Sequence, residues 1–256
     1  MLLLCSLPLS GAMAEAGITF GTQMTRGFVN DNMLSSEWGD IHFSSYIPSE
    51  YDGTQPYALF VTCPGWEGLY FQGVGANMVE DFGPESIAYN DQMIVLSPQL
   101  DDWGETSARM TIALTEYFLS HYEIDPEKVY LHGMSGGGET ASLVLGMRPE
   151  LYRAALITAS QWDGDLTVLA QARTPVYLAI GAQDSYYGAD SFKDTAQTLR
   201  ALYAEQGLSD AEIDQLLVLD IREQSFFTER GFRDQHAGGQ AFAHEETVMQ
   251  WLFQER

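Results

Sequence analysis

Ser135 lies in Gly133-Met-Ser-Gly-Gly137, a G-x-S-x-G run followed by a further glycine, Gly138. A serine hydroxyl is a weak nucleophile at its ordinary pKa. It needs a base within hydrogen-bond reach, and the base needs a third group to orient it. The chemistry such a set performs is acyl transfer. Small neighbours let the serine sit on a tight strand-to-helix turn with its hydroxyl clear of a sheet. The helix that follows aims its free N–H groups at negative charge developing near Ser135.

The acid is expected after a later strand. Pro175-Val-Tyr-Leu-Ala-Ile180 runs into Gly181-Ala-Gln-Asp184, which puts Asp184 at a strand's carboxyl end. Asp163, Asp165 and Asp190 compete. Asp190 fits better at a helix N-terminus, and the other two follow the preceding strand. Of five histidines, His42, His121 and His132 precede the serine, and His132 reads as a packed strand residue. The choice of base lies between His236, in the loop Asp234-Gln-His-Ala-Gly-Gly239, and His244, beside Glu245 and Glu246 at the start of the last helix. His236 is favoured, because a helix N-terminus disfavours an imidazolium. An oxyanion hole needs two amide donors. Gly136 is the first. The second comes from Cys63-Pro-Gly-Trp-Glu-Gly68, with Trp66 ahead of Glu67.

These segments together resemble the α/β-hydrolase superfamily. The carriers are Asp125-Pro, Val129-Tyr-Leu-His-Gly-Met-Ser135, Pro-Gly-Trp66, Gly-Ala-Gln-Asp184 and the late histidine. Within it the chain is most similar to compact secreted esterases of the feruloyl-esterase and polyhydroxybutyrate-depolymerase type, and to dienelactone-hydrolase-like proteins. The resemblance implies Ser135, Asp184 and His236 as a triad, Trp66 and Gly136 as amide donors, and a serine carboxylic-ester hydrolase working through an acyl-enzyme. It departs from the family where Glu139 and Thr140 replace small apolar residues and where Pro-Gly-Trp stands for the common His-Gly. Two other readings share the elbow: a serine peptidase of the prolyl-oligopeptidase type, and a non-catalytic binding protein on the same fold.

Short apolar runs alternate with helical patterns, as an α/β domain with a mostly parallel sheet requires. Strands are predicted at 41–47, 57–62, 93–96, 128–132, 154–159, 176–180 and 216–221. Helices are predicted at 106–121, 139–147, 166–172, 191–206 and 245–253. So little chain separates Ala159 from Val176 that no lid domain fits, and an open groove is expected. Aromatic residues at its rim would suit bulky, aromatic or polyester-type acyl groups. Trp66 and Trp162 are the expected substrate contacts, with Tyr70, Phe71, Tyr186 and Tyr187 behind them.

Composition narrows the partners. The 256 residues carry 36 acids and 12 bases, a formal charge of −24. Such a surface repels phosphate backbones and anionic lipid heads, which argues against nucleic acid or stable membrane partners. No P-loop, dinucleotide fingerprint or metal-ligand pair occurs, so neither cofactor nor metal is expected. Asp101-Asp102 alone is weak evidence for calcium. Cys5 and Cys63 make no disulfide framework. Residues 1–14 are apolar, end in Ala12-Met-Ala14 and read as a secretory signal lacking its basic first segment. The expectation is a secreted protein, cytoplasmic otherwise, with one domain over 15–256.

Overall fold

The computed structural model describes residues 17–254. The stretch 1–14 and Cys5 lie outside the described residues.

The chain opens with β1 (Ile18–Thr19), β2 (Gln23–Thr25), β3 (Phe28–Ser36) and β4 (Gly39–Tyr46). It continues through β5 (Tyr57–Cys63), α1 (Phe82–Ser86), β6 (Met93–Gln99), α2 (Glu105–His121), β7 (Ile124–Met134) and α3 (Gly136–Met147). Then come β8 (Ala154–Thr158), α4 (Leu166–Ala172), β9 (Val176–Gly181), α5 (Asp190–Glu205) and α6 (Asp210–Leu216). β10 (Leu217–Arg222), α7 (Gln224–Glu229) and α8 (Glu246–Phe253) complete the order. The sheet runs β1-β3-β4-β6-β5-β7-β8-β9-β10, with β2 also on β3. From β6 to β10 every neighbouring pair is parallel. The first four strands pair antiparallel, and β4 joins them to β6.

β5 is buried along its whole length, as a parallel strand covered on both faces must be. Its side chains alternate between two cores. Leu59 and Val61 join Ala108, Phe118, Val144 and Leu199 from α2, α3 and α5. Ala58 and Phe60 face Phe82, Phe227, Met249 and Leu252 from α1, α7 and α8. Each fully buried side chain of this kind contributes roughly 1.5–3 kcal/mol, and the two layers lock the sheet between them.

The connectivity also fixes where a site can form. β5 is followed in space by β6 on one side and β7 on the other. The crossovers after β5 and after β7 therefore leave the sheet on different sides, opening a crevice at the strands' carboxyl ends. Between β8 and β9 lies only the seven-residue α4, so the expected absence of a lid insertion at that point agrees with the fold. The hairpin of β3 with β4 extends the sheet beyond the single early strand predicted.

Candidate active site

Ser135 occupies the turn from β7 into α3 with φ 54° and ψ −126°. That backbone is strained for a residue with a Cβ, so its surroundings hold it. The Ser135 amide donates to the Thr158 carbonyl at 3.1 Å, and Ser160 Oγ donates to the Ser135 carbonyl at 2.6 Å. Two glycines allow the close approach. A Cβ on Gly133 would stand 2.3 Å from the Gly137 carbonyl oxygen, and one on Gly136 2.1 Å from the Trp103 indole.

Ser135 Oγ lies 3.0 Å from His236 Nε2, and His236 Nδ1 lies 3.0 Å from Asp184 Oδ2. An ionised carboxylate can only accept, so Nδ1 carries the proton and Nε2 is free to accept from the serine. Burial alone would raise the Asp184 pKa. The His236 contact and the backbone N–H groups of Tyr187 and Tyr186 outweigh it and hold the carboxyl below its ordinary range. Those amides donate to Asp184 Oδ1 at 2.9 Å and 3.0 Å.

Two contacts missed in the sequence tie the Asp184 loop to its neighbours, one to the His236 segment and one to α3. Gln235, buried beside His236, accepts the Gln183 N–H at 2.6 Å and so ties the histidine segment to the acid loop. The Tyr187 hydroxyl donates to Glu139 at 2.8 Å, which gives Glu139 a partner in a position where a small apolar residue was the expected choice. His244 is not at the site. It pairs with Asp81 at 2.9 Å and Glu85 at 3.7 Å. His132 is fully buried, flanked by the hydroxyls of Thr62 and Thr158 and stacked on Phe82. Its burial pushes its pKa well down, consistent with a packed, neutral side chain.

The β5 crossover begins with a 3-10 turn over Trp66–Gly68. Trp66 is its first residue, as Gly136 is the first of α3, so neither amide is used by its own helical ladder. A cleft of about 420 Å³ opens over Ser135, lined by Trp66, Glu80, Trp103, Met134, Tyr186 and His236 among others. Trp66 is 52% exposed and Tyr186 72%, which makes an aromatic rim. Trp162 is not part of it. Its indole N–H donates to the Gly164 carbonyl at 3.0 Å, and its ring packs on the core. The cause is Gly164, whose backbone presses on the Ser142 carbonyl so closely that a Cβ would stand 1.9 Å from it. This contact draws the loop after β8 onto α3. Trp103 instead lines the cleft, between Gly136 and Trp66. Cys63 is buried, with a thiol pKa pushed by burial to about 12, so it is no nucleophile. No helix among the described residues is long and apolar enough to cross a membrane.

The profile of the prolyl oligopeptidase family matches residues 100–192, which include Ser135 and Asp184. No curated protein matches the chain. Among solved structures, a thermostable esterase superposes with a TM-score of 0.68 at 18% identity, over 89% of this chain and 62% of that one. The chain thus spans less than two thirds of that esterase. The feruloyl esterase module of Clostridium thermocellum, solved with sinapinate, gives 0.64 at 12% identity over 94% and 96%. Oligopeptidase B of Leishmania major gives 0.57 at 14% identity over 95% of this chain and 37% of that one. The architecture that this chain shares with both esterases and oligopeptidases is the α/β-hydrolase fold.

Proposed function

We propose that the chain is a serine carboxylic-ester hydrolase acting without a cofactor. The observation that carries the reading is the continuous contact from Ser135 through His236 to Asp184, with 3.0 Å at each step. In the first half-reaction Ser135 Oγ attacks the ester carbonyl carbon as its proton passes to His236 Nε2. The amides of Gly136 and Trp66 receive the oxyanion. The tetrahedral intermediate collapses, the imidazolium returns its proton to the departing alkoxide, and the acyl group remains on Ser135. Water then repeats the sequence with His236 as base and releases the acid. Asp184 stabilises the imidazolium throughout.

The aromatic rim supports bulky or aromatic acyl groups, including polyester and hydroxycinnamate types. Trp66, Trp103 and Tyr186 offer flat faces beside the serine, and sinapinate in the related esterase module is an aromatic acid of that class. A second reading, a peptidase of the prolyl-oligopeptidase type, is favoured by the family match over residues 100–192. In the proposal, residues 15–256 form the mature domain and 1–14 a secretory signal, which N-terminal sequencing of the exported product tests.

The deciding experiment assays residues 15–256 and its Ser135→Ala variant on p-nitrophenyl esters of two chain lengths, a methyl hydroxycinnamate, a hydroxyalkanoate oligomer and a prolyl amide. Ester turnover lost in the variant supports the esterase and ranks its substrates. Turnover confined to the prolyl amide promotes the peptidase. No serine-dependent turnover on any of them overturns both enzyme readings in favour of a binding protein.

A further inference from the structure

Glu80 lines the same cleft as Ser135 and has no role in the relay. It is 8% exposed. Its Oε1 accepts the Gly65 N–H at 2.7 Å, while Oε2 is buried with no hydrogen-bond partner among the described residues. Gly65 is the residue immediately before Trp66. It presses on the nucleophile: a Cβ there would stand 3.0 Å from Ser135 Cβ and 3.2 Å from the Met134 carbonyl oxygen. The Glu80 carboxyl therefore holds the Pro64–Gly65 peptide, directly before the peptide that carries the Trp66 N–H. The Arg26 guanidinium donates to the Met78 and Glu80 backbone carbonyls and pairs with Asp81 at 2.8 Å.

We propose that Glu80 is the positioning residue of the oxyanion loop and that it works as a carboxylic acid, with its ionisation switching the site off. The inference rests on the serine-hydrolase reading above. A neutral carboxyl can accept from Gly65 and leave the oxyanion region free of negative charge. A carboxylate would keep the Gly65 contact but set a buried charge behind the developing oxyanion, opposing the stabilisation that the amides provide. The surroundings favour the acid form. Burial raises the Glu80 pKa, only partly countered by the Gly65 N–H, and Glu67 and Asp81 add repulsion, so that it is pushed up to about 8. The other titratable groups around it are Cys63 at the end of β5, and His236 and Asp234, which line the same cleft. None of these supplies a fixed cation.

The test is the pH profile of kcat and KM for wild type, Glu80→Gln and Glu80→Ala on the best ester found, with Ser135→Ala as control. A Ser-His-Asp site otherwise reaches a plateau once its histidine is neutral. Wild-type kcat should instead fall about tenfold between pH 7 and pH 9, around a midpoint near 8. Glu80→Gln keeps an acceptor for Gly65 but cannot ionise, so its kcat should stay level over that range. Glu80→Ala should lower kcat by 10- to 100-fold with KM nearly unchanged, because the loop's donor acts in the transition state. A Glu80→Gln profile that falls as wild type does, or a wild-type plateau through pH 9.5, overturns the proposal. The wild-type profile alone decides if the variants do not fold. Turnover surviving in Ser135→Ala would instead remove the serine-hydrolase reading itself, so the two failures are separable.

Discussion

Tyr187 and Glu139 are joined across the site by a 2.8 Å hydrogen bond from phenol to carboxylate, and the same tyrosine's backbone N–H grips Asp184 at 2.9 Å. The helix that starts beside Ser135 is thereby fastened to the loop that carries Asp184. Burial raises the pKa of Glu139, although the tyrosine's hydroxyl partly offsets it. The Tyr187 phenol is also raised, by burial first and by Glu139 second.

Cutting that link should cost activity more than stability. Tyr187→Phe should lower kcat by roughly 3- to 30-fold through a looser Asp184 loop, and unfolding free energy by about 1 kcal/mol. Steady-state kinetics and urea unfolding of the same preparation check both, and an unchanged kcat would show that Asp184 is positioned without the tyrosine.

Ser135 is held at φ 54°, where a glycine carries little strain and any other residue carries about 1–3 kcal/mol. Ser135→Gly should therefore be inactive yet more stable than Ser135→Ala by about 1 kcal/mol. Chemical denaturation of the two variants measures it directly, and a less stable glycine variant would mean that the elbow is not under strain.

Gly136 has no room for a side chain because the Trp103 indole lies over it. Gly136→Ala should cost about 1–3 kcal/mol of stability and at least 100-fold in kcat/KM, since the amide it carries moves with it. In Gly136→Ala/Trp103→Ala the clash is gone, so the two stability losses should fall well short of adding. Strict additivity would show that the ring is not what excludes the methyl group.

Trp103 and Trp162 should separate cleanly by kinetics. Trp103→Ala should raise KM for aryl esters by about 5- to 20-fold more than for short alkyl esters, because the lost ring face lines the cleft. Trp162→Ala should leave both KM values within about twofold and destabilise the fold by about 2–4 kcal/mol through lost packing. A selective aryl-ester defect in Trp162→Ala would return that residue to the site.

Stability should also depend on pH through Glu80. Its folded-state pKa is raised from 4.5 to about 8, so the native state holds this proton more tightly than the unfolded chain does. That contribution is complete below pH 4.5 and is lost as pH rises towards 8. Relative to Glu80→Gln, wild type should lose up to about 1.4 kcal/mol per pH unit across that window, reaching a few kcal/mol. Denaturant unfolding at pH 5 and pH 8 tests the sign. A difference between the two proteins that does not change with pH would show that Glu80 is already ionised in the folded state.

The parts of the site that could be read from sequence are those whose constraint is local. Ser135 announces itself because a strand, a glycine turn and a helix must follow one another within a few residues. Asp184 follows from the end of a buried apolar strand. His236 could be preferred to His244 by its place in a glycine-containing loop and on electrostatic grounds, whereas the contact that takes His244 away, to Asp81, spans 163 residues. Trp103 carried no signal, because its ring acts on Gly136 through space. Trp162 drew attention by its place after a strand, while the Gly164 contact that turns it away depends on where α3 lies. The early strand β3 was hidden for a different reason. Asn30, Asn32 and Ser44 are buried in the hairpin and satisfy one another and the backbone: Asn32 Nδ2 donates to the Phe43 carbonyl at 3.2 Å, and Ser44 Oγ to Asn30 at 3.0 Å. Polar residues with buried partners erase the apolar alternation by which a strand is recognised.

Ser135 and His236 meet across 101 residues of chain, and this separation has a kinetic meaning. Closing so long a loop costs entropy that is recovered only when the segment carrying Gln235 and His236 docks on β9. Collapse of the sheet can precede that docking, so a partly folded chain would hold a strained serine without its base. For the proposed hydrolase, regain of turnover after dilution from denaturant is thus a clock for the last long-range closure, running behind any signal from the sheet.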